Sequence, residues 1–231
     1  MSSTPQQLPL SLRYPPDQRL DAFVTPPAGA LAQLRALAGD GEPWLYAVGP
    51  AGAGKTHLAL GFCAEAEAHG KSASYLPMAT LAGRLREALP TPHPALRIAL
   101  DGIEHIAGRH DDEVALFDFH NAARAAGAGL FYTAREVPDA LGLVLADLRS
   151  RLSQLSRIRL EAANDDMRAA VLRLRAERRG LVMDAASIDW LLRRVERDLG
   201  SLTVLLERLD RESLAAQRRV TVPFLRQVLG G

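Results

Sequence analysis

The chain has 231 residues, 48% of them apolar, with 28 Lys and Arg against 27 Asp and Glu and a formal net charge of +1. That length suits one or two domains with a buried core, and so even a balance offers no basic field for duplex DNA as the main partner and no sign of an acidic or membrane partner. One cysteine cannot close an internal disulfide, no apolar run approaches the ~18 residues of a membrane span, and no basic-then-apolar leader opens the chain, so a reducing, cytoplasmic setting is expected.

Residues 1–19 read as an extended N-terminal arm, rich in Pro, Gln and Ser. Within it Gln7-Leu8-Pro9-Leu10-Ser11-Leu12 alternates apolar with small or polar residues. A peptide of this kind can lay alternate side chains into a partner's pockets, and it can equally strap onto its own core. Trp44-Leu45-Tyr46-Ala47-Val48 is aromatic and β-branched enough for a buried strand. Thr56 to His69 follows as a helix with Leu58, Ala59, Phe62, Cys63 and Ala66 on its apolar side and a stop at Gly70, which makes Cys63 a packing residue. Ser72–Leu76 is the next strand, and Ala79–Leu89 a helix ended by Pro90. Leu96–Asp101 is a strand with an acid at its C-terminal end. Glu113–Ala126 reads as a helix, Leu130–Thr133 as a strand, Asp139–Leu152 as a helical stretch and Arg157–Leu160 as a last short strand. This alternation predicts an α/β core over residues 20–160, a parallel five-stranded sheet between helices.

From Asn164 the period changes for good. Met167, Ala170, Val171 and Leu174 mark a helix capped by Asn164 and stopped near Gly180. Ile188, Leu191, Leu192, Val195 and Leu199 mark a second, and Leu202, Leu205, Leu206 and Leu209 a third. A short helix from Pro223 to Leu229 closes the chain, so residues 161–231 are expected to form a separate helical domain without strands.

Between the first strand and the first long helix stands Gly49-Pro50-Ala51-Gly52-Ala53-Gly54-Lys55-Thr56, which fits the phosphate-loop pattern G-x-x-x-x-G-K-[ST] in the strand–helix context that the pattern needs. Glycines there let main-chain N–H groups close round a polyphosphate at a helix N-terminus. Lys55 would reach the outer phosphates, and the Thr56 hydroxyl would help hold Mg²⁺. All but two of the 28 basic residues are arginine, and Lys55 is one of those two, retained where a compact point charge serves better than a planar fork. Asp101, ending a buried strand downstream of the loop, is placed for the magnesium shell. The next position is Gly102, where a water-orienting acid is usual; Glu104 lies two residues further on, and Thr133 ends the strand beside the expected γ-phosphate position. Arg149 and Arg151 read from pattern alone as a solvated helix face. His105, His110, Asp111 and Asp112 crowd one loop without zinc spacing and read as surface. No G-x-S-x-G or H-E-x-x-H is present.

These features resemble the AAA+ class, and within it the initiator clade of DnaA and, most of all, its shorter relative Hda. Leu20-Asp21-Ala22-Phe23-Val24 is similar to the segment lining the adenine pocket, Gly54-Lys55-Thr56-His57-Leu58 to the DnaA phosphate loop, and Leu100 to Gly108 to the second nucleotide motif of Hda. Asp147-Leu148-Arg149-Ser150-Arg151-Leu152 resembles the box that carries the arginine finger, and Leu209 to Phe224 is especially Hda-like. The Gln7–Leu12 run resembles the Hda peptide that docks on the sliding clamp of the replicative polymerase. The resemblance implies a site for ADP or ATP made by Phe23, Val24, Gly49, Gly52, Ala53, Gly54, Lys55, Thr56, His57 and Thr133, with Mg²⁺ at Thr56 and Asp101. It also implies Arg151 as a finger acting in trans and Gln7, Leu8, Leu10 and Leu12 as clamp contacts. The implied partners are DnaA and the β subunit of DNA polymerase III, with DNA met mainly through the clamp and further copies of the chain as a candidate partner. The implied function is negative regulation of replication initiation by an adaptor that stimulates DnaA's ATP hydrolysis while turning over little ATP itself. The rival within the fold is a motor or helicase-loader ATPase; a small-molecule kinase lacks an acceptor site. DnaA continues into a DNA-binding domain, which is not expected here after the lid, and Gly200 stands where the lid of the family usually presents a sensor arginine, with Arg197 a turn earlier.

Overall fold

Five short apolar runs set the frame. In the computed structural model, which describes residues 18–194, 205–206, 208–213 and 219–229, these runs are β1 (Leu45–Val48), β2 (Ser72–Pro77), β3 (Leu96–Asp101), β4 (Gly129–Ala134) and β5 (Ser156–Arg159). They pair in parallel, in the order β2-β3-β4-β1-β5. Parallel neighbours need crossovers, and helices α1 (Ala30–Asp40), α2 (Lys55–Ala68), α3 (Met78–Leu81), α4 (Leu85–Ala88), α5 (His110–Ala125) and α6 (Ala146–Ser153) supply them or flank them. The inner strands β1 and β4 are buried at every residue, because both of their faces are covered. Edge strand β5 buries only Ile158 and exposes Ser156, Arg157 and Arg159, polar residues that suit an unpaired edge.

The five expected strands are all present, within a residue or so of their ends. The expected helix over 79–89 is instead two short ones, because Gly83 turns left-handed at φ 87° between them. The helical stretch expected over 139–152 is a 3-10 turn at Pro138–Ala140 followed by α6, with Gly142 at φ 76° between. Helix α1 adds to the elements expected from the sequence, and its residues Ala30, Leu34, Leu37 and Ala38, all buried, follow helical spacing.

Arg97 is 1% exposed inside β3, an unusual place for a guanidinium. It donates to the carbonyls of Ala38 (3.1 Å), Gly39 (3.0 Å), Pro94 (2.8 Å) and Leu96 (3.0 Å), so its cost of burial is offset by hydrogen bonds that also close the C-terminus of α1. Gly129 makes room for it: a Cβ there would lie 2.7 Å from Arg97 Cδ.

After β5 come α7 (Asp165–Arg178), α8 (Ala185–Arg194), a further helical stretch through 205–206 and 208–213, and α9 (Val222–Leu229). Asn164 caps α7 by accepting from the Met167 N–H at 2.8 Å. Leu172, Leu191, Leu206, Leu209, Phe224 and Leu225 close a second apolar cluster, apart from the one around the sheet. The only extended pairing among the described residues of this part is a one-residue bridge, Met183 to Val220. Arg178 of α7 reaches Asp21 at 3.1 Å, an exposed ion pair worth up to about 1 kcal/mol. Among the described residues no helix is long and apolar enough to cross a membrane.

Candidate nucleotide site

The chain leaves β1 at Val48 and turns at once. A Cβ on Gly49 would sit 2.5 Å from the Leu160 carbonyl oxygen, main chain that cannot give way, because Leu160 donates to the Val48 carbonyl at 2.8 Å. Gly52 (φ 74°) and Gly54 (φ 94°) take left-handed conformations on either side of buried Ala53, and α2 starts at Lys55. A Cβ on Gly54 would meet the Phe23 ring at 2.6 Å, so the aromatic ring closes directly on the loop. His57 is buried behind it, with Nε2 2.8 Å from the Arg19 carbonyl oxygen and its ring edge-on to Phe23 at 5.2 Å. Val24 is half-buried beside Phe23 in sequence.

Lys55 folds back over its own loop, donating to the carbonyls of Gly49 (2.6 Å) and Pro50 (2.8 Å). Burial lowers its pKa, while the carboxylates of Glu104 and Asp101 pull the other way. Desolvation weakens the ammonium's hydration, so an anion at this position would meet a strong and poorly screened charge.

Asp101 is the hub. Its Oδ2 accepts from the Thr56 hydroxyl and from the Tyr75 hydroxyl, each at 2.8 Å, and its Oδ1 accepts from the hydroxyl of fully buried Thr133. The register brings them together: β2 and β4 flank β3, and Thr133 lies directly opposite Asp101. Gly102 at φ 86° donates its N–H to both the carbonyl and the hydroxyl of Thr133. Glu104 turns away to Arg135, accepting from its main-chain N–H and pairing with its guanidinium, both at 3.2 Å.

Arg151 is exposed in the last turn of α6, and Arg149 is half-buried. The helix runs from the C-terminal ends of the strands back to the start of β5, which carries Arg151 away from the phosphate loop. Its charge acts on His120, whose ring packs on Trp44, just before β1 begins.

A parallel five-stranded sheet with a phosphate loop after its β1 and a helical region beyond it has known counterparts. The chain superposes on domain III of the replication initiation protein DnaA from Thermotoga maritima with TM-score 0.71 and 19% identity, covering 93% of this chain and 96% of that one. An AMPPCP-bound DnaA from Aquifex aeolicus gives TM-score 0.61 at 18% identity over 88% of this chain and 71% of that one. The Thermotoga maritima RuvB branch migration motor gives 0.62 at 16% over 92% and 71%. These likenesses establish the AAA+ fold. Residues 165–229 match the family model of the Hda lid domain. That region therefore matches the Hda lid family, and it follows a core with the AAA+ fold.

In the core the structure brings together Phe23, Gly49, Gly52, Ala53, Gly54, Lys55, Thr56, His57, Asp101 and Thr133. Gln7, Leu8, Leu10 and Leu12 lie outside the described residues, as do Arg197 and Gly200. The surface reading holds for His105, His110 and Asp111 and fails for Asp112, which is buried. His110, Asp111 and Asp112 belong to the first turn of α5 and not to a loop, and Asp112 accepts from the N–H groups of Gly83 (2.6 Å) and Leu85 (3.2 Å), the start of α4. Tyr75 was missed. On an edge strand a tyrosine reads as packing, and only the register with β3 aims its hydroxyl at Asp101.

Proposed function

We propose that this chain is an Hda-like protein throughout, a nucleotide-bound adaptor and a negative regulator of replication initiation, which docks on the DNA-loaded sliding clamp and stimulates ATP hydrolysis by DnaA. The observation that carries the reading is the position of Arg151, exposed on α6 and turned from its own phosphate loop. A guanidinium there is useless to a nucleotide on Lys55 and available to one held by a neighbouring chain, where it would neutralise charge developing on the transferred phosphoryl group; fingers given in trans raise rates by about 10³ to 10⁵. Arg151 is thus the residue assigned to catalysis, on DnaA's ATP.

The site residues fit ADP or ATP with Mg²⁺. The Gly49–Gly54 turn offers a glycine-lined cradle, half-buried Lys55 presents a charge, Phe23, Val24 and His57 supply an apolar and aromatic flank, Thr133 backs Asp101, and Thr56 and Asp101 present oxygens of the kind a hard cation needs. The bound metal would offset phosphate charge. The DnaA of Aquifex aeolicus, of like fold, binds AMPPCP. Two observations favour the adaptor over a motor: Gly102 holds a left-handed φ that an acid would take only under strain, and Glu104 is tied to Arg135. Slow turnover in isolation follows. Docking on the clamp is assigned to Gln7, Leu8, Leu10 and Leu12, DNA being met through the clamp, in the cytoplasm; self-association belongs to the same reading.

The test is DnaA ATP hydrolysis in the presence of DNA-loaded clamp. Arg151→Ala should bind nucleotide and clamp yet fail to stimulate, with Arg149→Ala milder, and alanines at Gln7, Leu10 and Leu12 should abolish clamp binding without unfolding. Parent-level stimulation by Arg151→Ala would refute the finger, and unchanged clamp affinity of the triple variant would move that contact elsewhere.

A further inference from the structure

Helix α5 begins after the segment that leaves the nucleotide site, and its first turn carries Glu113, whose side chain is completely buried. A carboxylate without solvent is costly unless its oxygens are satisfied. Here they accept three main-chain N–H groups from two other places in the chain. Oε1 accepts from Gly108 at 2.7 Å and from Val144 at 3.1 Å, and Oε2 accepts from Leu145 at 2.7 Å. Gly108 ends the stretch that starts at Asp101 and Gly102. Val144 and Leu145 lead directly into α6, whose N-cap is Leu145, an apolar residue with no capping hydrogen bond of its own.

The first N–H groups of a helix need partners, and negative charge is favoured at that end. Glu113 supplies both from a distance of 32 residues. Leucines 148 and 152 bury the inner side of α6, which fixes its distance from the core but leaves its slide and roll to be set at the ends. Arg151 lies six residues beyond Leu145, about 9 Å along the axis, so a small shift at the first turn is carried to the guanidinium.

We propose that Glu113 is a positioning residue for Arg151: by holding the first turn of α6 to the segment leaving Asp101, it sets where the guanidinium stands against the partner's nucleotide. This rests on the finger reading above. Misplacement of about 1 Å costs up to about 10²-fold in rate, so loss of the clamp should be visible without loss of docking.

The experiment measures stimulation of DnaA ATP hydrolysis, with clamp on DNA, as a function of the full-length protein's concentration. Glu113→Gln, which keeps one acceptor oxygen and puts a donor against the other N–H, should lower the maximal stimulation about 10-fold to 10²-fold with little change in the half-saturating concentration. In an Arg151→Lys background Glu113→Gln should have less effect than in the parent, because both act at one place; a merely structural role would lower the melting temperature and multiply the losses independently. Val144→Pro, at an exposed side chain, removes only one of the three N–H donors and serves if Glu113→Gln does not fold; it too should lower the maximum. Parent-level maxima in both variants beside an inactive Arg151→Ala would overturn this inference alone. Parent-level stimulation by Arg151→Ala would overturn the finger reading, and this inference with it.

Discussion

Acid should destabilise the core through one histidine. His120 is 1% exposed, with Nδ1 3.0 Å from the Tyr132 hydroxyl and its ring edge-on to Trp44 at 4.8 Å. Burial first, then the charges of Arg124 and Arg151, push its pKa from 6.5 down to about 4. The unfolded chain therefore takes up a proton near pH 6.5 that the folded chain refuses until about pH 4. Stability is complete above the unfolded value and is lost as pH falls between the two. A gap of about 2.5 units corresponds to about 3 kcal/mol in full, of which about 2 kcal/mol falls between pH 7 and pH 5. Urea unfolding followed by circular dichroism at the two pH values, on the parent and on His120→Gln, isolates the effect. The variant loses packing against Trp44 and starts lower, but its stability should change with pH by about 2 kcal/mol less than the parent's. If the two change in parallel over that range, His120 is not the group, and the argument from its burial fails.

Two further outcomes concern the nucleotide site. Gly102→Glu restores an acid beside Asp101, yet its Cβ would lie 2.9 Å from His105 Cδ2 at a φ of 86°, so it should cost about 1–3 kcal/mol and leave steady-state ATP turnover slow; thermal melting and an ATPase assay read both. Tyr75→Phe removes one of the three hydroxyl donors on Asp101, worth about 1.5–3 kcal/mol for a charged acceptor, and should raise the Mg²⁺ concentration needed for nucleotide-induced thermal stabilisation by about tenfold or more, while an unchanged Mg²⁺ dependence would make Tyr75 a packing residue only.

The phosphate loop was legible because its information is contiguous: residues 49–56 are determined by glycine conformations and by the strand and helix that flank them, all local matters. The strands and most of the helices were legible for the same reason, since a period of two or of 3.6 is read within a dozen residues. Even Gly102 was marked by its sequence position as the place where an acid was missing. The reason it is glycine, a left-handed turn whose N–H is held by Thr133, is a matter of the folded sheet. Tyr75, Asp112 and Glu113 lay beyond local reading. Two adjacent acids at the start of a helix are ordinary favourable charge there, and nothing nearby says that they are buried. Their partners stand 27 to 32 residues away for the most part, on α4 and ahead of α6, and only the sheet order β2-β3-β4-β1-β5 folds those segments onto α5. By itself the sequence determined that a glycine-rich loop of the phosphate-loop pattern sits at the end of a buried strand. Tertiary structure alone decided which hydroxyls gather on Asp101 and which carboxylate holds the helix of Arg151, because a hydrogen bond between distant segments depends on the register and layering of the whole sheet and leaves no period in the chain.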